Sequence, residues 1–181
     1  IHNPDQCAVD AGCVRGVGVR NVLRFSTGIA NVGNQDFFIG TPPLNPTDTS
    51  SQFLWDPCHQ HRHYRGYAEY IVMNADKTIP IGSKNGFCVL DLECGNQVGP
   101  GKYTCERMGI TAGCKDVYDF DLPCQWVDIT GLDPGFYALV VRVNWTQKSD
   151  TLGRIERRYD NNVGQVCFRL SYSGTTPQVE F

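Results

Sequence analysis

Trp126 to Trp145 reads "WVDITGLDPGFYALVVRVNW". Its second half, from Phe136, is rich in valine and aromatics, residues that suit a pleated, half-buried surface. Asp133-Pro134-Gly135 is a strong turn signal, because proline presets φ and glycine tolerates the positive φ of a tight turn. Strand, Pro-Gly turn and strand together make a hairpin-like unit common in β-sandwiches. Outward from it the pattern recurs. "QVCFRLSY" (Gln165 to Tyr172) alternates apolar and polar residues, and "NVLRFSTGIANVG" (Asn21 to Gly33) alternates in part before a turn. No long stretch keeps a helical period of 3.6. The expected fold class is mainly β: a β-sandwich-like core with long disulfide-stapled loops and little helix.

The 181 residues suffice for a single domain spanning 1–181 with a substantial core. Hydrophobic content is 41%, charged content 19% and net charge -3, the range of an ordinary globule. Without a basic bias, nucleic acid and anionic membranes are poor partners. No apolar run reaches the roughly 18 residues that span a bilayer. The chain opens at Ile1 rather than Met, so it is expected to be a mature or excised domain. "TPPLNPTDTSS" (Thr41 to Ser51) is the nearest thing to a linker, its prolines unfit for a central strand.

There are nine cysteines, at 7, 13, 58, 88, 94, 105, 114, 124 and 167. Short spacings suggest local bridges, Cys7 to Cys13, Cys88 to Cys94 and Cys114 to Cys124. Such usage fits an oxidising, extracellular setting. No CxxC occurs, which removes the usual zinc-knuckle and thioredoxin readings. The odd count leaves one thiol unpaired within the chain. Asn144-Trp145-Thr146 is a glycosylation sequon and a weak pointer to secretion.

Three of the four histidines fall within "DPCHQHRHY" (Asp56 to Tyr64). On an extended segment, His59, His61 and His63 project from one face, with successive Cα atoms about 6.5–7 Å apart. Metal–nitrogen bonds of about 2 Å let three such rings meet at one ion. Three histidine ligands leave positions open for water, oxygen or substrate. Imidazole suits zinc, copper, nickel or iron, and the affinity order favours copper. The bland alternative is a chance surface cluster, and strict alternation in a histidine-poor chain argues against it. His2 reads as an unrelated terminal residue.

"WDPCHQHRH" resembles the copper-binding segment of the lysyl oxidase family, whose signature is Cys-His-Gln-His-x-His. "KNGFCVLDLEC" (Lys84 to Cys94) resembles the family's segment with the cofactor lysine four residues before a cysteine. "GCKDVYDFDLPCQWVDITGLDPGFY" (Gly113 to Tyr137) resembles the segment with the cofactor tyrosine, and "YDNNV" (Tyr159 to Val163) and the Cys7–Cys13 region fit as well. The resemblance implies copper on His59, His61 and His63, and a lysine tyrosylquinone formed from Lys84 and Tyr118. It implies an enzyme, a secreted copper amine oxidase of the protein-lysine 6-oxidase type. That oxidoreductase converts primary amines, peptidyl lysine side chains or small amines, to aldehydes with release of ammonia and hydrogen peroxide. It also implies the pairs Cys7–Cys13, Cys58–Cys105, Cys88–Cys94 and Cys114–Cys124, with Cys167 left over.

The chemistry asks for these residue types. No ordinary side chain withdraws two electrons from an amine; a quinone does, and a tyrosine beside copper and oxygen is oxidised to one. Asp119, Asp121 and Glu69 are the candidates for the general base that removes the substrate's α-proton. Zinc is an expected occupant of an immature, uncross-linked state. Glu156, Asn161 and Asn162 lie where the family has a calcium site, although Arg158 stands in place of an acidic ligand there. Alternatively, Asp160-Asn161-Asn162 is simply a turn before the last strand. Arg62 replaces an aromatic common in the family and is expected to set a positive charge beside the metal. Glu69 stands roughly where animal members have another histidine. Alone, Lys84 reads as a solvated loop lysine and Tyr118 as a core tyrosine; only their co-occurrence with the histidines reverses this. Two competing functions remain: a non-catalytic, metal-bound extracellular β-domain for adhesion or scaffolding, and a histidine-ligated zinc hydrolase.

Overall fold

A computed structural model describes residues 6–45, 47–48, 52–57, 59–74, 76, 81–83 (backbone only), 86–95 and 101–181. A short helix α1 (Gln6–Asp10) precedes the strands β1 (Val22–Arg24), β2 (Thr27–Ala30), β3 (Phe37–Gly40) and β4 (Phe53–Asp56). Next come β5 (His61–Arg65), β6 (Ala68–Asn74), β7 (Ile81–Ser83), β8 (Gly86–Phe87) and β9 (Met108–Ile110). The last are β10 (Lys115–Tyr118), β11 (Trp126–Asp128), β12 (Gly135–Val143), β13 (Val163–Ser173) and β14 (Thr176–Glu180). The fold is mainly β with very little helix, as the strand patterns predict.

The largest sheet runs β14-β13-β12-β6-β7, every pairing antiparallel. Against it lie short ladders: β1-β11, β2-β10, β3-β9 and the three-stranded β4-β5-β8. The core takes Val72, Leu139, Phe168 and Leu170 from the large sheet, and Ile29, Ile39, Met108, Ile110 and Val127 from the ladders. Phe25 of the β1–β2 junction meets Tyr70 of β6 edge to face, with ring centroids 4.8 Å apart.

The expected hairpin across Asp133-Pro134-Gly135 does not form. β11 pairs with β1, and β12 pairs with β6 and β13. The Pro-Gly turn is therefore a crossing from a small ladder to the large sheet. Buried Val127 and Ile129 on one side, and Tyr137 and Leu139 on the other, join the same core from different sheets.

The expected disulfides are also redrawn. The observed bridges are Cys13–Cys124, Cys88–Cys105 and Cys94–Cys114. These exclude Cys7–Cys13, Cys58–Cys105, Cys88–Cys94 and Cys114–Cys124; Cys7 is bonded but not to Cys13, and Cys58 lies outside the described residues. Sheet pairing supplies the reason. The segment around Cys13 is held against β11, where the Trp126 indole N–H donates to the Cys13 carbonyl at 2.9 Å and Asp128 accepts the Arg15 backbone N–H at 2.9 Å. An isolated bridge between Glu93 and Lys115 sets Cys94 beside Cys114. β10 then leads the chain away from Cys114 before it reaches Cys124. Cys167 is the free cysteine, exposed on β13.

Candidate metal and cofactor site

The histidines sit at the end of the β4–β5 hairpin, where Asp56 opposes His61 across the ladder. His61 and His63 lie on one face of β5, as alternation requires. His59 reaches them differently. Gln60 has φ of 57°, a left-handed conformation, so His59 stands in the connecting turn and is folded back over the strand. Extension alone does not unite the three rings; a turn completes the set.

The nitrogens converge. His61 Nε2 is 3.1 Å from His63 Nε2, which is 3.4 Å from His59 Nδ1. Two nitrogens bound to one ion at about 2.05 Å in tetrahedral geometry are about 3.3 Å apart. The spacing therefore suits a shared cation, and one ligand atom from each histidine lies within 4.8 Å of the others. All three rings are half-buried.

Asp56 organises the cluster. One carboxylate oxygen stands 3.2 Å from His63 Nδ1 and 3.3 Å from His59 Nδ1, and the other accepts the His59 backbone N–H at 3.1 Å. A carboxylate on Nδ1 favours the His63 tautomer with its hydrogen on Nδ1 and its acceptor lone pair on Nε2. An acidic residue three positions before the first histidine was the available signal for this role. Gly86 of β8 closes the other side. A Cβ there would fall 2.8 Å from the His63 Cβ and 2.9 Å from its Nδ1, so glycine is required by close approach. A cavity of about 580 Å³ opens beside these groups, lined by Asp56, His63, Gly86, Trp55, Arg65 and Lys148 among others. The larger cavity, about 810 Å³, lies between β2 and residues 150–166 and includes none of the histidines.

A second group, Asp91, Cys94 and Cys114, has metal-like spacing, but its two sulfurs are joined to each other and offer no thiolate.

Tyr118 ends β10 and is buried. Its hydroxyl donates to the Cys88 carbonyl at 2.7 Å, and its ring meets Phe87 edge to face with centroids 5.2 Å apart. Phe87 is paired with Tyr64, the residue after His63. Two short steps of structure thus connect the tyrosine to the histidine strand. Burial, and then the neighbouring Asp116 carboxylate, hold the Tyr118 phenol well above the usual tyrosine range. Lys84 lies outside the described residues.

The other expected participants are placed as follows. Asp119 and Asp121 are exposed beyond β10. Glu69 is engaged by the Arg142 guanidinium on the neighbouring strand. Arg62 does not stand beside the histidines. Strand alternation turns it to the opposite face, where it is 5% exposed. There it donates to the carbonyls of Phe53 at 2.8 Å, Asp48 at 3.0 Å, and Asn45. It pins the preceding loop rather than selecting a substrate. The Glu156 carboxylate accepts from the side-chain amides of Asn144 and Asn162, and Arg158 is paired with Asp160. Asn144 of the sequon is 4% exposed, so its amide serves the loop and not a glycan.

The family model for lysyl oxidase matches residues 6–180. The chain belongs to the lysyl oxidase family. It is 35% identical over 182 aligned residues to lysyl oxidase homolog 2 of Bos taurus, covering 93% of this chain and 22% of that protein. Against the Homo sapiens homolog 2 the identity is 34% with the same coverage. Lysyl oxidase homolog 3B of Danio rerio is 38% identical over 132 residues, 70% of this chain and 15% of that protein. The chain thus spans about a fifth of the length of these relatives. Among the described residues, no helix is long and apolar enough to cross a membrane.

Proposed function

We propose that this domain is a secreted, copper-dependent amine oxidase that converts primary amines, peptidyl lysine among them, to aldehydes. The observation that carries the reading is the convergence of three imidazoles at metal-bridging distances, oriented by the half-buried Asp56 carboxylate. His59, His61 and His63 would hold the copper, whose role is to let dioxygen oxidise a nearby tyrosine ring. A neutral nitrogen donor set with Asp56 behind it fits copper and also zinc.

Tyr118 is the residue proposed to supply the quinone, with Lys84 as its covalent partner. Its burial keeps bulk water from the ring, and the Cys88 carbonyl fixes the direction of its hydroxyl. In the sequence Lys84 precedes Gly86 by two residues. Gly86 itself packs against His63. Copper loading in air followed by digestion should yield a Lys84–Tyr118 cross-linked peptide by mass spectrometry, and phenylhydrazine should label it. A fully copper-loaded protein with neither product is not an amine oxidase of this type.

A further inference from the structure

Four carboxylates are buried among the described residues: Asp91, Asp116, Asp128 and Asp150. Three have clear structural work. Asp91 accepts the backbone N–H groups of Lys102, Tyr103 and Thr111. Asp128 accepts those of Arg15 and Thr130, and Asp150 those of Leu152 and Arg154 together with the Arg154 guanidinium. Asp116 keeps different company. It is 0% exposed, and its charge acts on the phenols of Tyr67 and Tyr70, around the start of β6, and of Tyr118 on its own strand.

β10 accounts for the placement. Burial alternates along it, so Asp116 and Tyr118 share the inward face while Lys115 and Val117 face outward. The Tyr118 hydroxyl points at the Cys88 carbonyl, with the Asp116 carboxylate as its side-chain neighbour. A neutral phenol is a poor reductant and a phenolate a good one, so oxidation of the ring calls for removal of this proton. Near neutral pH a buried phenol needs an acceptor at hand.

Resting on the amine-oxidase reading, we propose that Asp116 is the proton acceptor for Tyr118 during cofactor formation. The phenolic O–H bond breaks, the proton passes to the Asp116 carboxylate, and the bonding pair stays on the phenolate oxygen. A turn of the hydroxyl about its C–O bond redirects the hydrogen from the Cys88 carbonyl to Asp116. Asp119, Asp121 and Glu69, the candidates for the base that takes the substrate's α-proton, do not share this face of β10.

A purely electrostatic role predicts the opposite outcome, which makes the test sharp. If Asp116 only repels negative charge, Asp116→Asn eases ionisation of Tyr118 and cross-linking accelerates. As proton acceptor, its loss slows cross-linking by about 100-fold at pH 7, the usual scale for a positioned base. The rate should then climb about tenfold per pH unit as hydroxide takes over. The readout is the yield of Lys84–Tyr118 peptide against time by mass spectrometry, with copper content measured in each variant. Asp116→Glu should recover most of the rate, and Lys115→Ala on the outward face should mature as the unsubstituted protein does. An Asp116→Asn protein that binds copper and cross-links at the original rate or faster overturns the proposal. Loss of copper binding in both Asp116→Asn and Asp116→Glu also overturns it, in favour of a structural role. Absence of the cross-link in the unsubstituted protein sinks the amine-oxidase reading itself.

Discussion

The two faces of β5 carry similar chemistry to different ends. His61 and His63 look one way, into a cluster of nitrogens with an open cavity beside it. Arg62 looks the other way, into a sealed ring of backbone carbonyls. One residue of sequence separates a ring that joins a nitrogen cluster from a guanidinium whose two terminal nitrogens are spent on backbone carbonyls. What a polar residue can do is decided by the face it occupies, and neighbourhood in sequence misleads.

The largest effect expected from that contrast is on the open face. His63→Ala removes the ring shared by both close nitrogen pairs and should weaken copper binding by about three orders of magnitude, ~4 kcal/mol. Calorimetric or competition titration reads this, and thermal stability without metal should change little. Arg62→Met should do the reverse. Charge-assisted hydrogen bonds to buried carbonyls are lost, at about 3 kcal/mol of folding stability, while copper affinity is retained. A copper affinity that fell with Arg62→Met would dissolve the distinction between the faces. Asp56→Asn stands between these extremes. It keeps shape but loses the charge behind His63 and His59, and a drop of about 10–100-fold in copper affinity is expected.

Part of this was legible in the sequence. The HxHxH spacing announces a nitrogen cluster, and it survives in the structure, although the left-handed Gln60 and not pure extension brings His59 in. The same alternation already puts Arg62 on the far face, so its expected place beside the metal contradicted the very periodicity that paired His61 with His63. Asp116, two residues before Tyr118 on a strand, was legible on the same ground. The disulfides were not. Cys13 and Cys124 are 111 residues apart, and they become neighbours where the Cys13 segment docks on Trp126 and Asp128 of β11. Short spacings favour local closure in an unfolded chain, but the folded one answers to sheet pairing. For the same reason the Pro-Gly segment turns between layers, since both of its strands find better partners elsewhere.

β10 repeats the comparison in a second strand, and pH separates its faces. The inward Tyr118 phenol is held above its ordinary range by burial first and by Asp116 next, and Tyr67 is likewise raised. In the unfolded chain these phenols ionise near pH 10. Above that pH the unfolded state binds fewer protons than the folded state, so stability falls as pH rises, by about 1.4 kcal/mol per pH unit for each such phenol. Urea titrations from pH 9 to 11.5 should show the loss, and Tyr118→Phe should make its slope shallower by one phenol's share.

The outward face of β10 should yield the smallest effect. The Lys115 ammonium is 2.6 Å from Glu93, but both side chains are about half exposed, at 44% and 56%. Water and salt screen such a pair, and its net worth is about 0.5 kcal/mol or less. What holds Lys115 is its backbone: its N–H donates to the Glu93 carbonyl at 2.7 Å, and its own carbonyl accepts from Leu92 and Glu93. Lys115→Ala leaves those bonds intact, so chemical denaturation should register a change within about 0.5 kcal/mol. Lys115→Pro deletes the N–H and should cost several times more, because the bridge that seats Cys94 beside Cys114 depends on it. If alanine proved as damaging as proline, the side-chain ion pair, and not the strand pairing, would be what fixes this edge of the site.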